Sequence, residues 1–209
     1  MSKSRNPHVP FNEVEGIASS NVPAYSNKYS GYYPGTGRHY VHGVFTGYQW
    51  QCVEFARRWL LIRKSCTFRD IPCAHHIWSH VPHIERVTDG QYFRLRCVPN
   101  GSPEPPKKDS LLIYSRNHKM PYGHVAIITD VTSDSVYIAE QNNLYHYWSG
   151  NYARQEPLKF HNGLYYIDDE DPIIGWMEIE NNEHLTPFDE ANIANILKQY
   201  LADQLDDEF

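Results

Sequence analysis

The chemistry in this 209-residue sequence converges on one cysteine, one histidine and one glutamate. A thiolate rather than a thiol attacks a carbonyl, so a nucleophilic cysteine needs a lowered pKa. The unpaired N–H groups in the first turn of a helix help to supply one. Cys52 stands at such a place, and the same N–H groups, with Gln51, offer donors to the oxyanion of a tetrahedral intermediate. The other reading is that Cys52 only begins an apolar stripe, as buried free cysteines often do. A cysteine nucleophile also needs a base within hydrogen-bond reach and a polar group to orient that base. His124 and Glu140 are the natural pair. If the segments 123–131 (GHVAIITDV) and 135–140 (SVYIAE) are strands joined around Ser133 and Asp134, residues facing each other sum to about 266 or 267 in number. His124 and Glu140 sum to 264, which makes them near-opposite or diagonal neighbours on one face. Both are embedded in apolar residues, where they are costly to bury unless they pair with each other. A purely structural His–Glu bridge is the alternative.

A competing constellation is Cys73, His75, His76, His80 and His83, soft ligands at roughly helical spacing. It meets no standard zinc spacing and Pro82 interrupts its helix, so these side chains are expected to be solvated or capping, with no metal bound. Cys66, Cys73 and Cys97 read as core or near-surface thiols. No cofactor is called for.

The elements that must position these groups follow from periodicity. Cys52, Phe55, Ala56, Trp59, Leu60 and Arg63 recur at helical spacing, while Glu54, Arg57 and Arg58 occupy the other face, where Glu54 can pair with either arginine. This predicts a helix from Cys52 onward. A weaker helix is expected through HHIWSHVPHIERV, ended or kinked by Pro82. After a proline-rich loop, VPNGSPEPPKK, the runs 110–115, 123–131, 135–140 and 173–179 predict strands of one mostly antiparallel sheet. Residues 1–46, rich in Gly, Ser, Asn, Pro and Tyr, predict an irregular lead-in. TPFDEANIANILKQYLADQL predicts a terminal amphipathic helix with Thr186 as N-cap, Pro187 at N1 and Asp189 at N3.

Composition narrows the function classes. Residues 183–209 hold seven acidic residues against one Lys, which leaves a body balanced at 18 acidic and 18 basic residues. With no basic stripe there is no electrostatic reason to bind nucleic acid. The sequence holds no apolar run of membrane-spanning length, so no membrane partner is expected. The N-terminal stretch has no signal-peptide core, and the four cysteines form no C-x-x-C pair, so free thiols in the cytoplasm are expected.

The segments GYQWQCVEFARRWL, FRD at 68–70, PNGSP at 99–103, LLIY at 111–114, GHVAIITDV, IAEQN and IIGWM, spread over about residues 44–179, together resemble the amidase domain of bifunctional glutathionylspermidine synthetase/amidase and the related trypanothione synthetases. Single pieces recur across the wider group of CHAP amidases and peptidases. The resemblance implies an α+β, papain-like cysteine hydrolase that cleaves glutathionylspermidine, a glutathione–polyamine conjugate, to glutathione and spermidine. It maps the nucleophile to Cys52, the base to His124, the acid to Glu140 and a glutathione contact to Arg57, and it places Gln141 and Asn142 at the rim as substrate-binding residues. With the composition of the two ends, this divides the chain into a lead-in (1–46), a CHAP amidase domain (47–182) and an acidic C-terminal helix (183–209). It also implies a covalent link to a synthetase domain in a longer natural chain, although no nucleotide-binding region lies within these residues and ligation is not expected from them. PCAHHIWSHVPHIERV matches this family only loosely. Two other functions share the pattern: a peptidoglycan amidase or peptidase of the CHAP type, and a non-catalytic regulatory module of the same fold.

Overall fold

A computed structural model of the chain describes residues 8–28, 37–189, 191 and 194. Helix α1 (Cys52–Lys64) forms where the apolar spacing requires it. It stops at Ser65, whose left-handed backbone (φ 53°, ψ 27°) returns its N–H to the carbonyls of Leu60 and Leu61. Phe55, Ala56, Trp59 and Leu60 are fully buried against one face of the main sheet, with Leu111, Ile113, Val125, Ile127, Ala139 and Met177.

That sheet has nine strands among the described residues, in the order β12-β11-β10-β9-β8-β13-β7-β6-β5. Its centre is β8 (Leu111–Tyr114), β9 (His124–Val131), β10 (Ser135–Ala139) and β13 (Ile173–Ile179), all paired antiparallel. Side chains alternate between the two faces of a strand. The face away from α1 carries Leu112, Tyr114, Ala126, Ile128, Val136, Ile138 and Trp176, which pack with Leu158 of β11 (Arg154–His161) and Ile167 of β12 (Leu164–Ile167). Burial on both faces explains why β8 and β9 read as unbroken apolar runs. The expected antiparallel sheet is therefore present, wider than predicted. β7 (Tyr92–Pro99), β11 and β12 carry mixed polar and aromatic residues and gave no clear signal.

Three expectations need correction. The weaker helix covers only a 3₁₀ turn at Ala74–His76 and α2 (Ile77–His80). After Pro82 the chain extends into β6 (His83–Arg86), which pairs with β7 and with β5 (Cys66–Thr67). The lead-in is not irregular where it is described. It folds as two short hairpins, β1 (Val14–Ile17) with β2 (Pro23–Tyr25) and β3 (Arg38–Val41) with β4 (Val44–Tyr48). The polar side of α1 does not face water. Glu54, Arg57 and Arg58 are all at or below 5% exposed: His39, Thr46 and Pro23 of the lead-in meet Glu54 and Arg58, and Arg57 lies against Phe45 and Phe68. The predicted terminal helix lies almost wholly outside the described residues. No described helix is long and apolar enough to cross a membrane.

Candidate active site

Cys52 is the first residue of α1, preceded by Gln51 in extended conformation (φ −77°, ψ 157°). Its side chain borders a cavity of about 400 Å³, whose other walls include Tyr48, Gln51, Asp70, Pro72, Ala74 and Tyr122. His124 opens β9 at the same end of the sheet, and Glu140 follows β10 by one residue. The β9–β10 register runs at Val136↔Val131 and, after a bulge, at Ile138↔Ile128 and Ala139↔Ile127, as the hairpin arithmetic predicted. His124 and Glu140 are thus diagonal neighbours, with Nε2 and Oε2 2.8 Å apart and both residues 3% exposed.

A carboxylate only accepts hydrogen bonds, so Nε2 carries the proton and Nδ1 is left for Cys52, the ring's other hydrogen-bond partner. Burial opposes ionisation of Cys52. Attraction to His124, its hydrogen bond, and the backbone N–H groups of Val125 and Val53 outweigh that cost and hold the thiol below its ordinary pKa. Burial likewise opposes the imidazolium, but Cys52 on one side and Glu140 on the other raise His124 well above its usual value. The three groups together favour a thiolate–imidazolium pair. Gly123, just before His124, sits at φ 68°, and a Cβ there would lie 2.7 Å from His75 Cβ and 2.8 Å from the Tyr114 carbonyl. Only glycine delivers the histidine at this point.

Glu140 is itself held by a residue that the sequence reading missed. Arg154 of β11 donates to Oε1 through Nε at 2.7 Å and to Oε2 through Nη2 at 3.3 Å. It also reaches Glu156 and Asp169, each at 2.7 Å, and the Tyr114 hydroxyl at 2.9 Å. Asn143 Nδ2 adds a 3.0 Å bond to Glu140 Oε1. Despite burial, Arg154 and His124 keep the Glu140 carboxyl well below its ordinary pKa. The sequence carries no signal for it, since only the pairing of β11 with β10 in the fold sets Arg154 opposite Ile138, two residues from Glu140.

A second polar network lies beneath the start of α1. Arg58 donates to both oxygens of Glu54 at 2.7 and 3.2 Å, to the Pro23 carbonyl at 2.6 Å and to Gln141 Oε1 at 3.0 Å. Thr46 Oγ1 and His39 Nδ1 also meet Glu54 Oε1, at 3.1 and 2.9 Å. Glu54 therefore pairs with Arg58, not with Arg57. Gln141 closes the network by donating from Nε2 to the Gln51 carbonyl at 3.2 Å and to Glu54 Oε2 at 3.0 Å. The expectation that Gln141 lies at the rim is corrected: it is fully buried. Asn142 donates to Gln51 Oε1 at 2.9 Å and accepts from Asn27 and Tyr145, so its side chain orients Gln51.

Arg57 faces elsewhere. The residue is 5% exposed and borders a second cavity, of about 570 Å³, with Phe68, Arg69, His83 and Tyr92. Its ionic partner is loose: Asp70 lies 3.5 Å away with its side chain 52% exposed, and Thr67 Oγ1 is at 3.3 Å. Desolvation lowers its pKa despite Asp70 and Glu54 nearby. Asp70 borders the Cys52 cavity, and Thr67, Phe68 and Arg69, just before it in the chain, border the Arg57 cavity. Of the competing constellation, Cys73, His75 and His76 converge on one another, while His80 and His83 stand outside that set. All four cysteines are free thiols.

Residues 43–142 match the family described as the CHAP domain. Trypanothione synthetase of Crithidia fasciculata is 36% identical over 190 residues, covering 88% of this chain and 29% of that protein. Bifunctional glutathionylspermidine synthetase/amidase of Escherichia coli (strain K12) is 33% identical over 201 residues, covering 90% of this chain and 32% of that protein. Glutathionylspermidine synthase of Crithidia fasciculata is 28% identical over 207 residues. The chain thus spans about 30% of the length of these curated relatives. The likeness expected from the ordered motifs is borne out, and over residues 43–142 the chain carries a CHAP domain, with the α+β, papain-like fold.

Proposed function

We propose that this chain is a cysteine amidase that hydrolyses glutathionylspermidine to glutathione and spermidine. The observation that carries the reading is the buried relay in which His124 bonds Cys52 on one side and Glu140 on the other, at the edge of an open cavity. The similarity to a bifunctional glutathionylspermidine synthetase/amidase supports the choice of substrate.

In the proposed reaction the Cys52 thiolate attacks the glycyl carbonyl of the conjugate. The oxyanion is met by backbone N–H groups at the start of α1 and by the Gln51 amide, which Asn142 orients. His124 then gives its proton to the spermidine nitrogen as the C–N bond breaks, leaving a glutathionyl thioester on Cys52. A water molecule, losing its proton to His124, attacks the thioester. Glutathione leaves and the thiolate–imidazolium pair is restored. Glu140 stays ionised throughout and stabilises the imidazolium, as the acid of a Ser-His-Asp triad does.

Arg57 is assigned to the α-carboxylate of the γ-glutamyl end. It is a buried fork with a loose partner, Asp70, which itself borders the Cys52 cavity. Within a longer natural chain this unit would be covalently linked to a synthetase domain that makes the bond it cleaves. The test is chromatographic. Purified protein given glutathionylspermidine should release glutathione and spermidine in equal amounts, and Cys52→Ala should release neither. No release by the wild type would overturn the substrate, and release by Cys52→Ala would overturn the mechanism.

A further inference from the structure

Next to residues that wall the Cys52 cavity lies a second cluster of donors, Cys73, His75 and His76. Cys73 caps the 3₁₀ turn Ala74–His76, and the His76 N–H bonds the Cys73 carbonyl at 3.1 Å. A 3₁₀ helix has about three residues per turn, so residues i and i+3 lie over one another. That places the Cys73 and His76 side chains on the same side. His75 joins them because its backbone N–H is tied to the Tyr122 carbonyl at 3.2 Å, and its ring lies against that of His76, tilted by 43° with centroids 4.0 Å apart. The result is that one donor atom from each of Cys73, His75 and His76 lies within 4.8 Å of the others.

A cationic side chain already lies against two of these donors. Arg116 Nε donates to His75 Nδ1 at 3.0 Å, and Nη2 approaches Cys73 Sγ at 3.7 Å. The side chain of Arg116 is exposed, so it can turn into water with little loss. We propose that Cys73, His75 and His76 form a binding site for a borderline divalent transition-metal ion such as Zn²⁺, with water as the fourth ligand. One thiolate and two imidazoles suit Zn²⁺ and Co²⁺ and are poor ligands for Mg²⁺ or Ca²⁺. Tetrahedral Zn²⁺ bonds of about 2.0–2.3 Å separate such donors by roughly 3.3–3.6 Å. Exposed or half-buried side chains on a short turn make that contraction by rotation alone. Pro72 and Ala74, which flank Cys73, line the Cys52 cavity, so the ion would brace one wall of that cavity without touching Cys52.

The site is tested with Co²⁺ alone, added to the reduced full chain carrying Cys52→Ala, which removes the other cysteine–histidine pair. A thiolate-to-cobalt charge-transfer absorption should appear and saturate at one equivalent. Cys73→Ala in that background should abolish it, and His75→Ala or His76→Ala should weaken binding more than tenfold. Zn²⁺ should displace the cobalt and bleach the band, while Mg²⁺ should not. No band in the Cys52→Ala protein, or a band that survives Cys73→Ala, would overturn the proposal. Circular dichroism of each variant shows that the fold is kept. Because the readout is spectroscopic, the outcome is independent of whether glutathionylspermidine is the substrate.

Discussion

Two arginines, half-buried Arg154 and buried Arg57, flank this site and are treated in opposite ways. Arg154 has more acid around it than it can neutralise: it bonds Glu140, Glu156 and Asp169 within 3.3 Å. The surplus shows in its neighbours. Burial and nearby Asp169 push Glu156 up to about 7 in spite of Arg154, and Glu15, buried in β1 near Glu140, is likewise pushed up to about 7. Arg57 has too little acid, one half-exposed carboxylate at 3.5 Å. A buried charge needs a partner. The contrast teaches that Arg154 has its partners within the folded protein, whereas Arg57 keeps charge to spare for the substrate carboxylate we propose for it.

The largest effect is expected at Arg154. Arg154→Met leaves Glu140 and Asp169 as uncompensated buried carboxylates, so it should cost about 3–5 kcal/mol in chemical denaturation. It should also lower kcat by about 10²–10³-fold, because a partly protonated Glu140 no longer holds the imidazolium. The acid limb of the pH–rate profile should move up in pH, a shift that a merely structural role would not produce. Arg154→Lys keeps the charge without the fork and should recover part of both losses.

Arg57→Met should leave the denaturation midpoint nearly unchanged. It should raise KM by about 10–100-fold with little change in kcat, the signature of binding lost equally from ground and transition states. Equal effects of the two substitutions on stability would break the comparison.

The pH profile sharpens it further. The active species requires Cys52 ionised and His124 protonated. Activity should therefore fall on the acid side through a Cys52 pKa below the ordinary thiol value of about 8.5. On the alkaline side it should fall through a His124 pKa above the ordinary value of about 6.5. A kcat/KM that climbs without a plateau to pH 8.5 would contradict the ion pair.

The smallest effect belongs to Glu15, whose Oε1 is buried without a hydrogen-bond partner. Its folded pKa, raised mainly by burial to about 7, exceeds its unfolded value, so its contribution is favourable at low pH and is lost as pH rises toward and through 7. Glu15→Gln should match the wild type near pH 5 and exceed it by about 1–3 kcal/mol at pH 8. Melting curves at the two pH values measure this.

How much of this was legible in the sequence differs between the same two regions. Helix α1 and the His124–Glu140 pair depend on local rules, namely a 3.6-residue period and the register of a hairpin with a short turn, and both were readable. Arg154 was not, because its place depends on a third strand reached through the 140–153 loop. RQEPLKFH, with a central proline, carries no period that announces a strand. The polar side of α1 misled for a related reason. Glu54 and Arg58 have the spacing of a solvated ion pair, and only the lead-in hairpins, whose strands of three to five residues are too short for a periodic signal, turn it into a buried network. Gln141 was misplaced with them, since that network draws it inward.

The central claim is that His124 and Glu140 make Cys52 a nucleophile that carries the glutathionyl group. It is tested most directly by quenching the protein in acid during turnover of glutathionylspermidine and mapping the adduct by mass spectrometry. The account predicts a glutathionyl acyl group on the peptide that contains Cys52, released by hydroxylamine and absent from Cys52→Ala. Product release with no adduct in rapid-quench samples, or with an adduct on another residue, would contradict it.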